Sequence, residues 1–192
     1  KKVIRYNEFI LQDPTNPNDW NKTITYSPRK PFSKYDLQNY LENNLFQVGD
    51  VIKTVTYLDG NGRPLQTIGC NQAPFDGSDY RDVVSFIDYD ELGSAPVSYL
   101  KYVDESDDGS FKNDVINKQL DFYSTTSMVS NSSYPFKESV FDSSPQGNII
   151  EQGAPGESWQ LGNGHTSKSG IQCNKEDEVL LWEFDDGDPG AE

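Results

Sequence analysis

The sequence predicts a mainly β fold, a β-rich α+β arrangement of antiparallel hairpins in a meander with two short helices. Three observations carry that expectation. From Val51 the pattern has a period of two, with Val51, Lys53, Val55 and Tyr57 on one face of a β-branched run. Two such runs turn back at Asp59-Gly60-Asn61-Gly62 and Asp90-Glu91-Leu92-Gly93, where glycine takes positive φ at no steric cost. Apolar residues at three- and four-residue spacing, the mark of a helix, are confined to two short stretches.

The segment up to Pro31 reads as a short strand, Val3 to Leu11, followed by a long loop through the turn-forming run Asp13 to Asp19. Ser33 stands where a helix cap belongs, and Leu37, Tyr40, Leu41 and Leu45 follow at helical spacing, which predicts a helix over 34–45. Val51 to Tyr57 is then a strand and Arg63 to Ile68 its return. Pro64, lacking a backbone donor, points to an edge position for that return strand. Asp82 to Tyr89 and Val97 to Val103 form the second hairpin. Phe111, Val115, Ile116, Leu120 and Tyr123 predict a helix over 111–123, with acids near its start and Lys118 toward its end, as the helix dipole favours. Strands follow at Phe136–Asp142 and Asn148–Glu151, then a glycine-rich stretch from Gly153 to Gly170. Glu178 to Phe184 closes the pattern as a strand whose Leu180-Leu181-Trp182 run implies burial on both faces. The expected organisation is a strand, loop and helix segment over 1–50 and a β domain over 51–192, which can also form one domain together. The run Asp185 to Gly190 reads as half a hairpin, and the chain opens on Lys1 without an initiator Met, so a piece of a longer protein is expected.

The chain has 192 residues, 16 Lys and Arg against 31 Asp and Glu, and a formal net charge of −15. Binding to nucleic acid or to an anionic membrane surface requires clustered cations, so neither is an expected partner. No run approaches the ~18 apolar residues of a membrane-spanning helix, and no membrane insertion is expected. Leu, Ile, Val and Phe make up just under a quarter of the chain, and 11 Tyr and 3 Trp add large rings from which a core can be built. Cys70 and Cys173 either close one long-loop disulfide or stay two unrelated buried thiols.

The turn Tyr57-Leu58-Asp59-Gly60-Asn61-Gly62-Arg63-Pro64-Leu65 resembles the tyrosine–aspartate (YD) repeat of RHS proteins, whose unit is an aromatic strand end, an Asp, a tight glycine turn, an Arg and a return strand. Tyr57, Asp59, Gly62 and Arg63 fill that pattern. Tyr89, Asp90 and Gly93 fill it again, with Ser94 in place of the Arg. The blocks Tyr102-Val103, Ser106 to Phe111, Tyr134-Pro135-Phe136, Glu151 to Gly156, Gly162 to Thr166 and Asn174 to Trp182 are similar, in order, to the uncharacterised domain near the N-terminal side of RHS-repeat proteins of Bacteroidetes. The resemblance implies a non-enzymatic structural or interaction module of a large secreted or cell-surface protein, serving surface display, adhesion or assembly of a toxin-delivering shell. Its expected partners are the remaining repeats of the parent chain and a protein or glycan at a cell surface. It assigns no catalytic residue.

Other residues offer chemistry of their own. Asp104, Ser106 and Asp108, followed by Gly109, match the first half of a calcium loop, and the match fails at Val115, where a bidentate Glu belongs. The alternative is a solvated turn ahead of the helix; apart from calcium at this loop, no cofactor is expected. Asp185, Asp186 and Asp188 make a second acidic turn. His165 lacks the Gly-x-Ser-x-Gly elbow that would make it the base of a hydrolase. Trp20, Tyr26 and Trp159 are rings that either pack in the core or stack on sugars, which gives a carbohydrate-binding β module as the alternative function. A glycoside hydrolase, needing two carboxylates in a cleft, ranks below it. Asn21-Lys22-Thr23 and Asn131-Ser132-Ser133 are glycosylation sequons, incidental in a bacterial protein.

Overall fold

The computed structural model describes residues 6–10, 21–43, 49–76, 79–127, 129–144 and 146–170. The predicted β-rich character holds: two antiparallel sheets account for most of the regular structure, with two short helices. The larger sheet has six strands in the order β1 (Tyr6–Ile10), β2 (Lys22–Pro28), β3 (Val51–Leu58), β4 (Pro64–Asp76), β5 (Asp79–Phe86) and β7 (Tyr102–Val103). The smaller runs β10 (Ser167–Lys168), β9 (Ile149–Gln152), β8 (Phe136–Phe141) and β6 (Val97–Tyr99).

Register explains the core. Ile24, Val55, Ile68, Val84 and Tyr102 are successive cross-strand partners from β2 to β7, a continuous apolar row across five strands. The neighbouring row, Thr23, Thr56, Thr67 and Ser85, is hydroxylated and belongs to the opposite face. Ile68 and Val84 are fully buried in the apolar row. On the same face Tyr57 and Cys70 pack with Phe111, while Phe86 and Tyr102 pack with Tyr99, Val115 and Phe122. The face is covered by the acidic segment 104–112 and by α2 (Val115–Thr125).

Several expectations need correction. The loop predicted before Pro31 contains β2, which pairs along its whole length with β3; the β-branched and aromatic run from Thr23 to Tyr26 carries it. Pro64 does not mark an edge, since β4 lies between β3 and β5; the proline sits opposite Leu58 at a bulge, where the ladder is interrupted anyway. β4 extends to Asp76, past irregularities around Asn71 and Pro74 that break the simple alternation. β5 runs from Asp79 to Phe86, three residues ahead of the predicted 82–89, and Ile87 keeps a single bridge to Ser98.

The predicted strand over 97–103 is two strands in different sheets. β6 pairs with β8 and β7 with β5, so the chain changes sheet at Leu100 and Lys101. The carbonyls that leave the ladders there are taken by α2: Gln119 donates Nε2 to Leu100 O (2.6 Å) and Pro135 O (3.0 Å), and the Tyr123 hydroxyl donates to Lys101 O. Unlike the apolar periodicity, such a crossing leaves no signal in the sequence.

Both helices are shorter or displaced. α1 (Lys34–Glu42) begins as expected, with Ser33 Oγ accepting the Asp36 amide (3.0 Å) and donating to its carboxylate, a reciprocal cap. It ends at Glu42; Leu45, included in the predicted span, lies outside the described residues. α2 starts at Val115, not Phe111, because Phe111 leaves the helical path to pack edge-on against Tyr57 and Asp114 takes a left-handed φ of 55°. Trp20, the strand predicted over 178–184, the acidic turn after it and Cys173 lie outside the described residues.

Candidate functional site

The two YD-like turns have one hydrogen-bond plan. Asp59 Oδ1 accepts the amides of Asn61 (2.9 Å) and Arg63 (2.8 Å), Asp59 N donates to Arg63 O, and Gly62 N donates to Asp59 O. Asp90 repeats this with Leu92 (3.0 Å), Ser94 (2.8 Å) and Gly93. Gly62 and Gly93 both have positive φ, 78° and 82°, as the plan requires.

Arg63 joins the two turns. Its Nε donates to Asp59 Oδ2 at 2.7 Å, and its guanidinium lies 4.3 Å from the centre of the Tyr89 ring. A methyl group on Gly93 would meet Arg63 Nη1 at 2.6 Å. One arginine therefore serves both motifs, and Ser94 can stand where the second Arg is missing. The Arg63 amide, followed by its guanidinium and the Asn61 amide, holds the Asp59 carboxyl below the usual carboxylate range. Tyr57, the aromatic of the first motif, points elsewhere: its hydroxyl donates to Gly109 O at 2.8 Å, and burial pushes its pKa up to about 12.

That bond leads to the acidic segment 104–112, which is strapped across the sheet. Asp82, on β5, is completely buried; its Oδ1 accepts Asn71 N (3.2 Å), and its Oδ2 accepts Gly109 N (2.8 Å) and lies 3.1 Å from Lys112 Nζ. Lys112 Nζ also reaches Asp108 Oδ1 at 2.9 Å. Its backbone is clamped on both sides by buried Gln66, which accepts Lys112 N (3.0 Å) and donates to Lys112 O (2.6 Å). Ser106 O and Asp104 N continue the ladder onto Asp82. Burial works to raise the Asp108 pKa, but the Ser110 amide, the Lys112 ammonium and the Ser110 hydroxyl outweigh it and hold the carboxyl low.

The calcium expectation fares differently at each ligand. Asp104 accepts from Ser106 N and Oγ and pairs with Lys118 Nζ at 2.8 Å, while Asp108 accepts from Ser110 N and Oγ and pairs with Lys112. Asp104 and Ser106 are thus in contact, and the carboxylates of Asp104 and Asp108 are each paired with an ammonium group. Among the described residues no group of three or more His, Cys, Asp and Glu side chains is gathered to hold a metal. Cys70 is buried beneath Gly109, and burial pushes its thiol up to about 11.

A cleft of about 430 Å³ opens beside the C-terminal end of α2, lined by Leu100, Tyr123, the 130–135 loop, Pro155, Gly156 and Glu157. Ser130, Asn131, Ser132 and Ser133 make much of its lining polar. Trp159, half exposed, touches Gly156 at its rim, and His165 lies against the Trp159 ring with Nδ1 2.9 Å from Ser158 O. Tyr26, the other described ring weighed for stacking on sugars, lies on β2, far along the chain from these residues.

Lys112, Asp82 and Gln66 escaped the sequence reading, yet a signal existed. Gln66 shares the parity of Ile68 and Cys70, and Asp82 that of Val84 and Phe86, so both are polar residues on an apolar face.

A family model described as a domain of unknown function (DUF6443) matches residues 32–173, well over half of the chain. No curated protein and no solved structure is matched by it.

Proposed function

Because the chain belongs to the DUF6443 family of domains of unknown function, its role is read from its own geometry, and we propose that it is a non-enzymatic structural and interaction module of a large secreted or cell-surface RHS/YD-repeat protein. The observation that carries this reading is the single Arg63 locking two Asp-x-x-Gly turns of one hydrogen-bond plan. Turns so coupled stack hairpins side by side, which is how repeat units complete a core that none can bury alone. The partners in this reading are the neighbouring hairpins of the parent chain. Isolation of the parent protein tests it. The expected product is an exported chain in which this segment precedes an array of Tyr-Asp hairpins; a parent retained in the cytosol, or lacking such an array, overturns it.

The cleft favours a second reading, a carbohydrate-binding β module. Its polar lining, Tyr123, Tyr134 and the exposed Trp159 at its rim suit a neutral polyol. Glu157 is the one carboxylate among the described residues lining it, whereas glycoside hydrolysis takes a pair. Saturable binding on a glycan array, lost in Tyr134→Ala, is expected if this reading holds; no binding to any glycan removes it.

A further inference from the structure

The strap holds three groups whose arrangement exceeds what a salt bridge needs. We propose that Lys112 and Asp82 condense into an intramolecular amide, an isopeptide bond between Nζ and Cγ, with Asp108 as the acid–base group of the reaction.

Four features of the site support this. Lys112 Nζ lies 3.1 Å from Asp82 Oδ2, with the two side chains 3% and 0% exposed, so the nitrogen is held against the carboxyl group whose carbon it must reach. Each partner is fixed by its own backbone: Lys112 by Gln66 on both sides, Asp82 by Asp104 and Ser106. The electrophile faces two donors, Gly109 N to Oδ2 and Asn71 N to Oδ1, placed to stabilise the oxyanion that forms when the amine adds. Both donors sit on left-handed backbone, φ 70° at Gly109 and 52° at Asn71, and for a non-glycine residue that strain persists only where the surroundings impose it. Finally, Asp108 Oδ1 is 2.9 Å from the same nitrogen on a side chain that is 59% exposed, which gives protons and the leaving water a route out.

The steps balance without a co-reactant. The reaction begins from the ion pair, with the Lys112 ammonium, which Asp108 and Asp82 hold in its charged form, passing a proton to Asp82 to give an amine and a carboxylic acid. The amine lone pair adds to Cγ, and Asp108 takes the proton released from nitrogen. Asp108 then returns it to the departing hydroxyl, which leaves as water when the C–O bond breaks. An amide N–C bond is formed, one water is lost, nothing is oxidised or reduced, and Asp108 ends as it began. The product ties the strap covalently to β5, and the inference stands apart from the repeat-protein reading.

Mass spectrometry of the folded 192-residue chain tests it. The expected intact mass is about 18 Da, one water, below that of the sequence. Trypsin should release a branched peptide in which segment 82–101 is joined through Asp82 to Lys112 of segment 102–118. Lys112→Arg and Asp108→Ala should each return the full mass. A folded wild-type chain at full mass overturns the proposal, as does a deficit carried by a cyclised Asp-Gly step such as Asp108-Gly109 instead of the branched peptide. A branched peptide that survives Asp108→Ala overturns the role given to Asp108.

Discussion

Asp59 at the turn corner and Asp82 under the strap make nearly the same set of bonds. Each carboxylate accepts two backbone amides and faces one cation, Arg63 or Lys112. They differ in surroundings and in span. The Arg63–Asp59 side chains are 39% and 16% exposed and four residues apart, while the Lys112–Asp82 side chains are sealed and thirty apart in sequence. An exposed pair is worth roughly 0.2–1 kcal/mol, whereas removing one partner of a buried pair costs about 3–5 kcal/mol because the other charge is left stranded. The corner thus sets a local turn and the strap fixes tertiary docking.

Lys112→Met is the largest break in that comparison. It keeps much of the stem volume and leaves Asp82 buried without its cation, so a loss of about 3–5 kcal/mol is expected in urea unfolding. A loss below 1 kcal/mol would put the strap in the same energetic class as the corner. The covalent amide, where formed, adds to this loss and takes nothing from it.

Alkaline titration sharpens the strap side further. Tyr57 donates a hydrogen bond to Gly109 O, and burial raises its pKa to about 12, above its ordinary value near 10. A raised folded-state value means that the contribution is complete below about pH 10 and is lost as pH rises through about 12. Tyr57→Phe should therefore flatten the fall of melting temperature across that window, at a neutral-pH cost of about 1 kcal/mol for the missing hydrogen bond. An unchanged alkaline limb would remove Tyr57 from the strap. At the acid end Asp59, Asp104 and Asp108 are all held low, so their contributions are present above the ordinary carboxylate range and disappear as pH falls through their depressed values.

The same contrast explains what could be read from sequence. The corner was legible because its chemistry is local: Asp59, Gly62, Asp90 and Gly93 lie within one turn of the residues they bond, and a turn type dictates its residues. The alternation of Val51, Val55 and Tyr57 was legible for the same reason. Lys112 was not, because its partners Asp82 and Gln66 are thirty and forty-six residues away and only the sheet register brings them beneath it. Nor was the change of sheet at Leu100, where an unbroken β-like run hides two ladders. Asp104 and Asp108 were legible as acids in turns. Their partners Lys118 and Lys112, fourteen and four residues further on, were not.

Two glycines separate backbone from packing at the corner. Gly62 and Gly93 share the left-handed conformation, but an added methyl at Gly62 meets open space and at Gly93 meets Arg63 Nη1 at 2.6 Å. Gly62→Ala should therefore cost only the conformational strain, about 1 kcal/mol, and Gly93→Ala about 1 kcal/mol more, because Arg63 must leave Tyr89. In the background of Arg63→Ala the two costs should become equal. A persisting difference would mean that Arg63 does not bridge the turns.

Arg63→Lys is the smallest and most selective change. The charge stays, but the planar guanidinium that both stacks on Tyr89 and bonds Asp59 is replaced by a compact ammonium that cannot do both at once. Screened by solvent, the loss should stay near 0.5–1 kcal/mol in thermal unfolding, and it should shrink further when Tyr89 is first replaced by Leu, since the stack is then already gone. A loss above about 2 kcal/mol would place the corner among buried pairs and erase its distinction from the strap. A loss unaffected by Tyr89→Leu would assign Arg63 to its own turn alone, leaving the two YD-like motifs side by side but uncoupled.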